Sequence, residues 1–126
     1  MKPLKSELFI WLLVVLYAGF IFYLSGLSVL PLGVDFPFAD KLEHLSEYII
    51  LGILLMRALT NREFKFKAKD AFAWAVVIAF LYGISDEIHQ AFVPGRTADL
   101  FDALSDLIGA SIGSYIYYWY KSTSKI

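Results

Sequence analysis

Carboxyl and imidazole side chains recur at helical spacing in three separate stretches of this 126-residue sequence. The first stretch has four polar residues at positions i, i+4, i+7 and i+8: the carboxyl and imidazole residues Asp40, His44 and Glu47, and the phenol Tyr48. This spacing places all four side chains on one face of a helix. Mixed carboxyl and imidazole groups suit the binding of a divalent metal ion, and they also suit general acid–base or proton-relay chemistry.

The second and third stretches show the same arrangement. The second contains Tyr82, Asp86, His89 and Gln90 at helical spacing, with Glu87 beside Asp86. The third contains the aspartates Asp99, Asp102 and Asp106. If the three stretches are neighbouring helices, their polar faces form one pocket. The pocket that we predict is lined by Asp40, His44, Glu47, Tyr48, Asp86, Glu87, Gln90, Arg96, Asp102 and Asp106.

Smaller sets within and beside this pocket are candidates for particular roles. The candidates for catalysis are His44, Asp86, Glu87 and His89, and the candidate metal ligands are His44, Glu87, His89 and Asp106. Their spacing matches no established metal motif, so a divalent metal ion is one alternative and a self-satisfied ion network is another. The acids outnumber the nearby fixed cations, Lys41 and Arg96, and this excess favours a cationic or hydroxyl-rich ligand over a bare phosphate.

Arg96 follows the turn sequence Pro94-Gly95, between the second and third stretches. On such a turn it would lie at the mouth of the pocket, where a guanidinium can bind an anionic headgroup or carboxylate through two hydrogen bonds. A salt bridge to Asp99 or Asp102 is an equal alternative.

The composition indicates that the elements carrying these residues lie in a membrane. Hydrophobic residues make up 59% of the chain and charged residues 18%, against roughly 45–50% and about 25% in soluble domains. A chain this short buries only roughly 60–70% of its surface, so a soluble fold could not hide so many apolar groups. This excludes a soluble cytosolic domain and a nucleic-acid binder. The absence of cysteine excludes disulfides and thiolate metal sites.

The uncharged runs predict four membrane helices in a single domain over residues 1–126. Residues 8–30 form an uncharged run of 23, and about 20 helical residues cross a bilayer core. The other runs reach that length only when each is extended over one polar flank. Ionisable residues inside a bilayer usually face the interior of a helix bundle or a wet cavity. We therefore predict an all-α, four-helix transmembrane bundle with helices at about 8–30, 41–59, 71–93 and 100–120.

The distribution of charge predicts how this bundle is oriented. Nine of the eleven basic residues fall at the N-terminus, between helices 2 and 3, or at the C-terminus. The positive-inside rule makes those regions cytoplasmic, so both termini are expected in the cytoplasm. Nine of the twelve acids fall at the opposite ends of the helices. The pocket is therefore expected to open to the outer face of the membrane.

Gly109 and Gly113 form a small-xxx-small pattern, which allows close helix packing in membranes. They stand on the helix that carries Asp102 and Asp106. We predict that they pack against a helix of the same bundle, and an oligomer contact through this face is the alternative.

These residues together resemble the VanZ-like family of small membrane proteins. The resemblance is carried by Asp40-Lys41-Leu42-Glu43-His44 with Tyr48 and Gly52, by Tyr82-Gly83-Ile84-Ser85-Asp86-Glu87-Ile88-His89-Gln90 with Phe92 and Pro94-Gly95-Arg96, and by Asp99, Asp102 and Asp106 with Gly109 and Gly113. It extends over essentially the whole chain. The namesake of the family is associated with low-level resistance to teicoplanin, a glycopeptide that targets peptidoglycan precursors at the outer membrane surface. The resemblance therefore implies the envelope of a bacterium and its cytoplasmic membrane.

Three hypotheses on function follow. In the first, the pocket binds an envelope lipid or a component of a lipid-linked peptidoglycan precursor. The alternative is a membrane-embedded hydrolase or transferase, with or without a metal ion, that acts on a lipid or polyprenyl-linked headgroup. A small proton-coupled transporter is the second alternative. The expected partners are the lipid bilayer and such a lipid headgroup.

Overall fold

The computed structural model describes residues 3–27, 39–60, 66–95 and 98–123. It consists of the helices α1 (Pro3–Ser25), α2 (Ala39–Leu59), α3 (Ala68–Ala91) and α4 (Leu100–Thr123). Within those four described ranges there is no β-strand. The prediction of an all-helical chain with four helices is therefore confirmed.

The bounds of α1 differ from the prediction. The helix begins at Pro3 and ends at Ser25, five residues before each predicted bound. Proline suits the first position of a helix because its φ is already helical and it needs no hydrogen-bond acceptor there. At the other end, the backbone N–H of Gly26 bonds to the carbonyl of Phe22 at 3.1 Å. Helix α1 therefore includes Lys5 and Glu7. Residues 28–30 of the predicted helix lie outside the described part of the chain.

The other helices lie within three residues of their predicted bounds. Helix α3 begins at Ala68 and ends at Ala91. The N–H groups of Phe92 and Val93 then bond to carbonyls three residues back, both at 3.0 Å. Such bonds tighten the last turn of a helix. The turn that follows contains Gly95 with a φ of 82°, a conformation that favours glycine.

Helices α2 and α4 approach each other closely because glycines lie at their contact. A Cβ atom at Gly109 would lie 2.5 Å from the carbonyl oxygen of Leu45, and one at Gly113 would overlap the backbone of Ile49. On α2, a Cβ atom at Gly52 would lie 2.5 Å from the carbonyl oxygen of Ala110. The predicted packing of Gly109 and Gly113 within one bundle is confirmed. The alternative of an oligomer contact through this face stays a prediction.

Helix α2 lies at the centre of the described bundle and packs against α1, α3 and α4. Its buried apolar side chains include Leu51, Leu55 and Met56. Helix α3 contributes a face of small buried residues one turn apart, namely Ala71, Ala75 and Ala79. Large apolar side chains are exposed on the outer surfaces of the other helices, among them Leu12, Phe20, Trp74, Leu81, Phe101 and Trp119. Such an exterior suits contact with lipid chains rather than with water.

Within the described residues, two helices are long and apolar enough to cross a membrane by length and composition: Lys5–Ser25 and Ala68–Ala91. Helices α2 and α4 carry more charge at one end. On α4 both charged residues at that end, Asp102 and Asp106, are buried. On α2 Glu47 is buried, whereas Asp40, Lys41 and Glu43 are partly buried. The higher charge of α2 and α4 is therefore due in part to side chains that face the interior of the bundle.

Candidate functional site

The three polar faces meet at one end of the bundle, where α2 and α4 begin and α3 ends. Six ionisable residues are buried there, each with at most 8% of its surface exposed. We call them the polar cluster: His44, Glu47, Asp86, Glu87, Asp102 and Asp106. Two further predicted pocket residues are buried at the same end, Tyr48 and Gln90. The structure thus brings together eight of the ten residues that we predicted for the pocket.

His44 lies between two aspartates that stand one turn apart on α4. Its Nδ1 atom is 2.7 Å from Asp106 Oδ1, and its Nε2 atom is 4.0 Å from Asp102 Oδ2. A carboxylate only accepts hydrogen bonds, so an ionised Asp106 accepts the Nδ1–H of His44, and in the neutral imidazole Nε2 then carries the lone pair. The imidazole is therefore held in one orientation, with Nε2 towards Asp102.

Asp106 is fully buried and lies directly over a glycine of α3. A Cβ atom at Gly83 would be 2.8 Å from Asp106 Oδ2 and 3.0 Å from Asp106 Cβ. Gly83 thus leaves the space that the carboxyl occupies. Asp106 Oδ2 makes no hydrogen bond with any residue that the structure describes. The role of Gly83 was not anticipated from the sequence, although it stands one turn before Asp86 on the same face.

Lys41 binds three carboxylates at the outer edge of the cluster. Its Nζ atom lies 2.7 Å from Asp99 Oδ2, 3.2 Å from Asp40 Oδ2 and 3.2 Å from Asp102 Oδ1. Asp99 also caps α4, because its Oδ1 atom accepts the N–H of Phe101 at 2.9 Å. The hydrogen bond from Lys41 and this second bond hold the pKa of Asp99 below its ordinary value. Lys41 therefore joins the start of α2 to the start of α4.

Glu87 connects the polar cluster to an open cleft. Its Oε2 atom accepts the backbone N–H of Asp99 at 2.9 Å, while its Oε1 atom is buried and has no hydrogen-bond partner among the described residues. The cleft has a volume of about 680 Å³ and lies between the end of α3 and the start of α4. Apart from Glu87 and Asp99 its lining is apolar, and it consists of Ile84, Ile88, Ala91, Phe92, Ala98, Leu100 and Ala103.

The cluster contains more acid than its described neighbours balance. Five of its six members are carboxyls, whereas the cations in contact with it are Lys41 and, if protonated, His44. Two further buried groups, the Tyr48 hydroxyl and Gln90 Oε1, have no hydrogen-bond partner within the described ranges. Tyr48 lies within electrostatic range of Asp86 and Asp106. Such a concentration of buried ionisable groups is typical of functional sites.

His89, a candidate for catalysis and for metal binding, lies apart from the cluster. Its Nδ1 atom is 3.2 Å from Ser25 Oγ, and its ring stacks on Phe22 with 3.9 Å between centroids. At about 100° per residue, the face of α3 that meets the cluster is centred near Gly83 and Gln90, so His89 points towards α1. Asp40 lies at the outer edge beside Lys41. Arg96 falls outside the described residues.

The fold and the cluster define a class: a small helical bundle with an apolar exterior and ionisable groups buried at one end. The sequence model of the family described as VanZ/LLP1 matches residues 8–121, and the chain belongs to this family. This confirms the resemblance drawn from the motifs. Comparison with curated proteins and with solved structures gave no match. Family membership and the two apolar helices together indicate a membrane protein.

Proposed function

We propose that this protein crosses the bacterial cytoplasmic membrane with all four helices and binds an envelope lipid through the polar cluster. The ligand is the headgroup of a lipid or of a lipid-linked peptidoglycan precursor. Through that ligand the protein is linked to glycopeptide resistance, as the resemblance to the VanZ-like family implies. Both termini lie in the cytoplasm, and the cluster lies at the outer face.

The position of Glu87 carries this proposal. The same carboxyl belongs to the polar cluster and to the wall of the apolar cleft. A volume of about 680 Å³ lies within the usual range of ligand sites, about 300–1,000 Å³. An acyl or polyprenyl chain fits the apolar lining, and its headgroup would then lie against Glu87 and Asp99. An amphiphilic molecule is the ligand that matches both surfaces.

The orientation is supported by charge. The described basic residues at the end of α2, the start of α3 and the end of α4 lie opposite the cluster, namely Arg57, Lys67, Lys69 and Lys121. Positive charge of this kind is retained on the cytoplasmic side. By this argument the acidic end of the bundle lies at the outer face of the membrane, where glycopeptides meet lipid-linked precursors.

The orientation can be tested with single cysteines, because the chain contains none. Ala98 and Lys67 are exposed positions before α4 and before α3. We expect a membrane-impermeant thiol reagent to label Ala98→Cys in intact cells and to label Lys67→Cys only after lysis. Labelling of Lys67→Cys alone in intact cells would reverse the orientation and contradict the proposal.

Ligand binding can be measured with a lipid-linked peptidoglycan precursor and the full chain in nanodiscs. We expect Glu87→Gln to weaken binding about tenfold, since a hydrogen bond to a charged group contributes about 1.5–3 kcal/mol. Asp70→Asn is the matched control, because Asp70 is an exposed carboxyl in the first turn of the same helix. Equal affinities for the two variants would remove Glu87 from the site, and no binding by the unmodified protein would refute the ligand class.

A membrane-embedded hydrolase or transferase is the second candidate function. It is favoured by one observation: His44, Glu87 and Asp102 converge, with one potential ligand atom each within 4.8 Å of the others. Glu87 places this group beside the cleft. Turnover of a polyprenyl-phosphate lipid by the purified protein would support this candidate over simple binding.

A further inference from the structure

We propose that His44, Glu87 and Asp102 bind a divalent transition-metal ion, and that Asp106 is the positioning residue that orients His44. This ion site deepens the proposed function. Only the use of the ion, which is to bind the anionic group of the lipid, rests on that proposed function.

The three side chains come from three helices and are arranged around one point. One potential ligand atom from each lies within 4.8 Å of the other two, and all three residues are buried. His44 Nε2 and Asp102 Oδ2 are 4.0 Å apart, which is too long for a hydrogen bond. Two ligands of one zinc ion, each at about 2.0–2.2 Å, lie roughly 3.3–3.6 Å apart in a tetrahedral site. Starting from 4.0 Å for that pair and at most 4.8 Å for the others, the ligand atoms must therefore approach one another by about 0.4–1.5 Å when the ion binds.

Asp106 holds the His44 ring in the orientation that a metal ligand needs. The hydrogen bond of 2.7 Å between His44 Nδ1 and Asp106 Oδ1 turns Nε2 towards Asp102, and in the neutral imidazole Nε2 offers its lone pair there to a metal ion. Metal-binding histidines almost always donate their other N–H to such a carboxylate or to a carbonyl. A second group, consisting of His44, Asp86 and Asp106, also satisfies the distance condition. We favour the group with Glu87 because it leaves both oxygens of Asp106 out of the ion's ligands and adjoins the cleft.

Glu87 provides an independent indication of a ligand. Its Oε2 atom is fixed by the N–H of Asp99, whereas Oε1 is buried without a hydrogen-bond partner among the described residues. A buried carboxylate oxygen without a partner is costly. A cation bound between Glu87, Asp102 and His44 would satisfy it and would offset part of the excess negative charge. One imidazole and two carboxylates are a donor set that suits zinc and its neighbours in the first transition row.

The proposed ion changes which headgroup the site prefers. Three protein ligands leave a coordination position open, as in catalytic zinc sites. Glu87 forms part of the cleft wall, so that position would be close to the bound lipid. From the acids alone we expected a cationic or hydroxyl-rich ligand. With the ion in place, a phosphate group becomes the better match for the site.

Zinc titration of the untagged, metal-free full chain in detergent tests the inference. Calorimetry and elemental analysis after dialysis should find one equivalent of Zn²⁺ per chain. We expect His44→Gln to abolish stoichiometric binding and Asp106→Asn to weaken it about 10–100-fold, the usual cost of losing an orienting partner. His89→Gln is the matched control, because the second histidine lies against α1; it should bind zinc as the unmodified protein does.

A measurement on the unmodified protein covers the case in which His44→Gln does not fold. X-ray absorption at the zinc edge should show nitrogen and oxygen neighbours at about 2.0–2.2 Å and the outer scattering of one imidazole. Absence of stoichiometric zinc, or a spectrum without imidazole, would overturn the inference. If the precursor still binds to protein that takes up no zinc, the proposed function stands and the inference fails. If zinc binds and the precursor does not, the proposed function fails and the ion site stands.

Discussion

Replacing Gly113 with alanine is expected to force α2 away from α4 and to destabilise the protein by about 3 kcal/mol, at the upper end of the usual cost of overpacking. The added Cβ atom would overlap the carbonyl of Ile49 and also lie within 3.0 Å of its Cα. These are backbone atoms in the middle of a helix, so no side-chain rotation relieves the contact. The whole of α4 must move, and it carries Asp102 and Asp106 with it. Unfolding in detergent, followed by circular dichroism, measures the loss.

Gly19→Ala is the matched control for this prediction. A Cβ atom at Gly19 would meet nothing within 4 Å, and alanine favours a helix over glycine by about 1 kcal/mol. The control should therefore be as stable as the unmodified protein or slightly more so. If Gly113→Ala were as stable as Gly19→Ala, the close approach of α2 and α4 would be contradicted.

Much of this site could be predicted from the sequence because a charged side chain on an apolar helix has few positions in which it avoids contact with lipid. A carboxyl that stands among apolar residues of a membrane helix must face the interior of the bundle. Helical spacing then assigns residues such as Asp86 and Asp102 to one face each. These two constraints placed the three polar faces at the same end of the bundle.

The partners within the site could not be predicted in the same way. Spacing along one helix does not set the register between two helices, and the pairing of His44 with Asp106 depends on that register. The structure fixes it through the contacts of Gly109 with Leu45 and of Gly113 with Ile49. The surroundings of His89 could not be predicted for a similar reason. An error of about one residue in the centre of a helix face is enough to turn a side chain towards another helix.

The bounds of α1 were wrong for a different reason. The prediction equates the uncharged run with the helix, whereas α1 includes Lys5 and Glu7. Glu7 is buried and lies 4.0 Å from Arg57 of α2. A charge with a partner on a neighbouring helix does not end a helix, and a single sequence does not reveal such partners.

The replacement of Asp86 with asparagine is expected to abolish the function of the protein. Asp86 is buried at the centre of the polar cluster, within electrostatic range of Glu47, Tyr48 and Asp106. Asparagine has the same shape but carries no charge and cannot act as an acid, a base or an anionic ligand. The substitution therefore changes the chemistry of the cluster and leaves its packing in place. Asp70→Asn makes the same change at the exposed start of the same helix.

The teicoplanin susceptibility of a sensitive bacterium that produces each of these proteins at equal membrane levels tests the central claim most directly. We expect the unmodified protein and Asp70→Asn to protect the cells equally, and we expect cells with Asp86→Asn to be as susceptible as cells with an empty vector. If the unmodified protein gave no protection, the link to glycopeptides would be refuted. If Asp86→Asn protected the cells as well as the unmodified protein does, the claim that the polar cluster acts as one functional site that includes Asp86 would be contradicted.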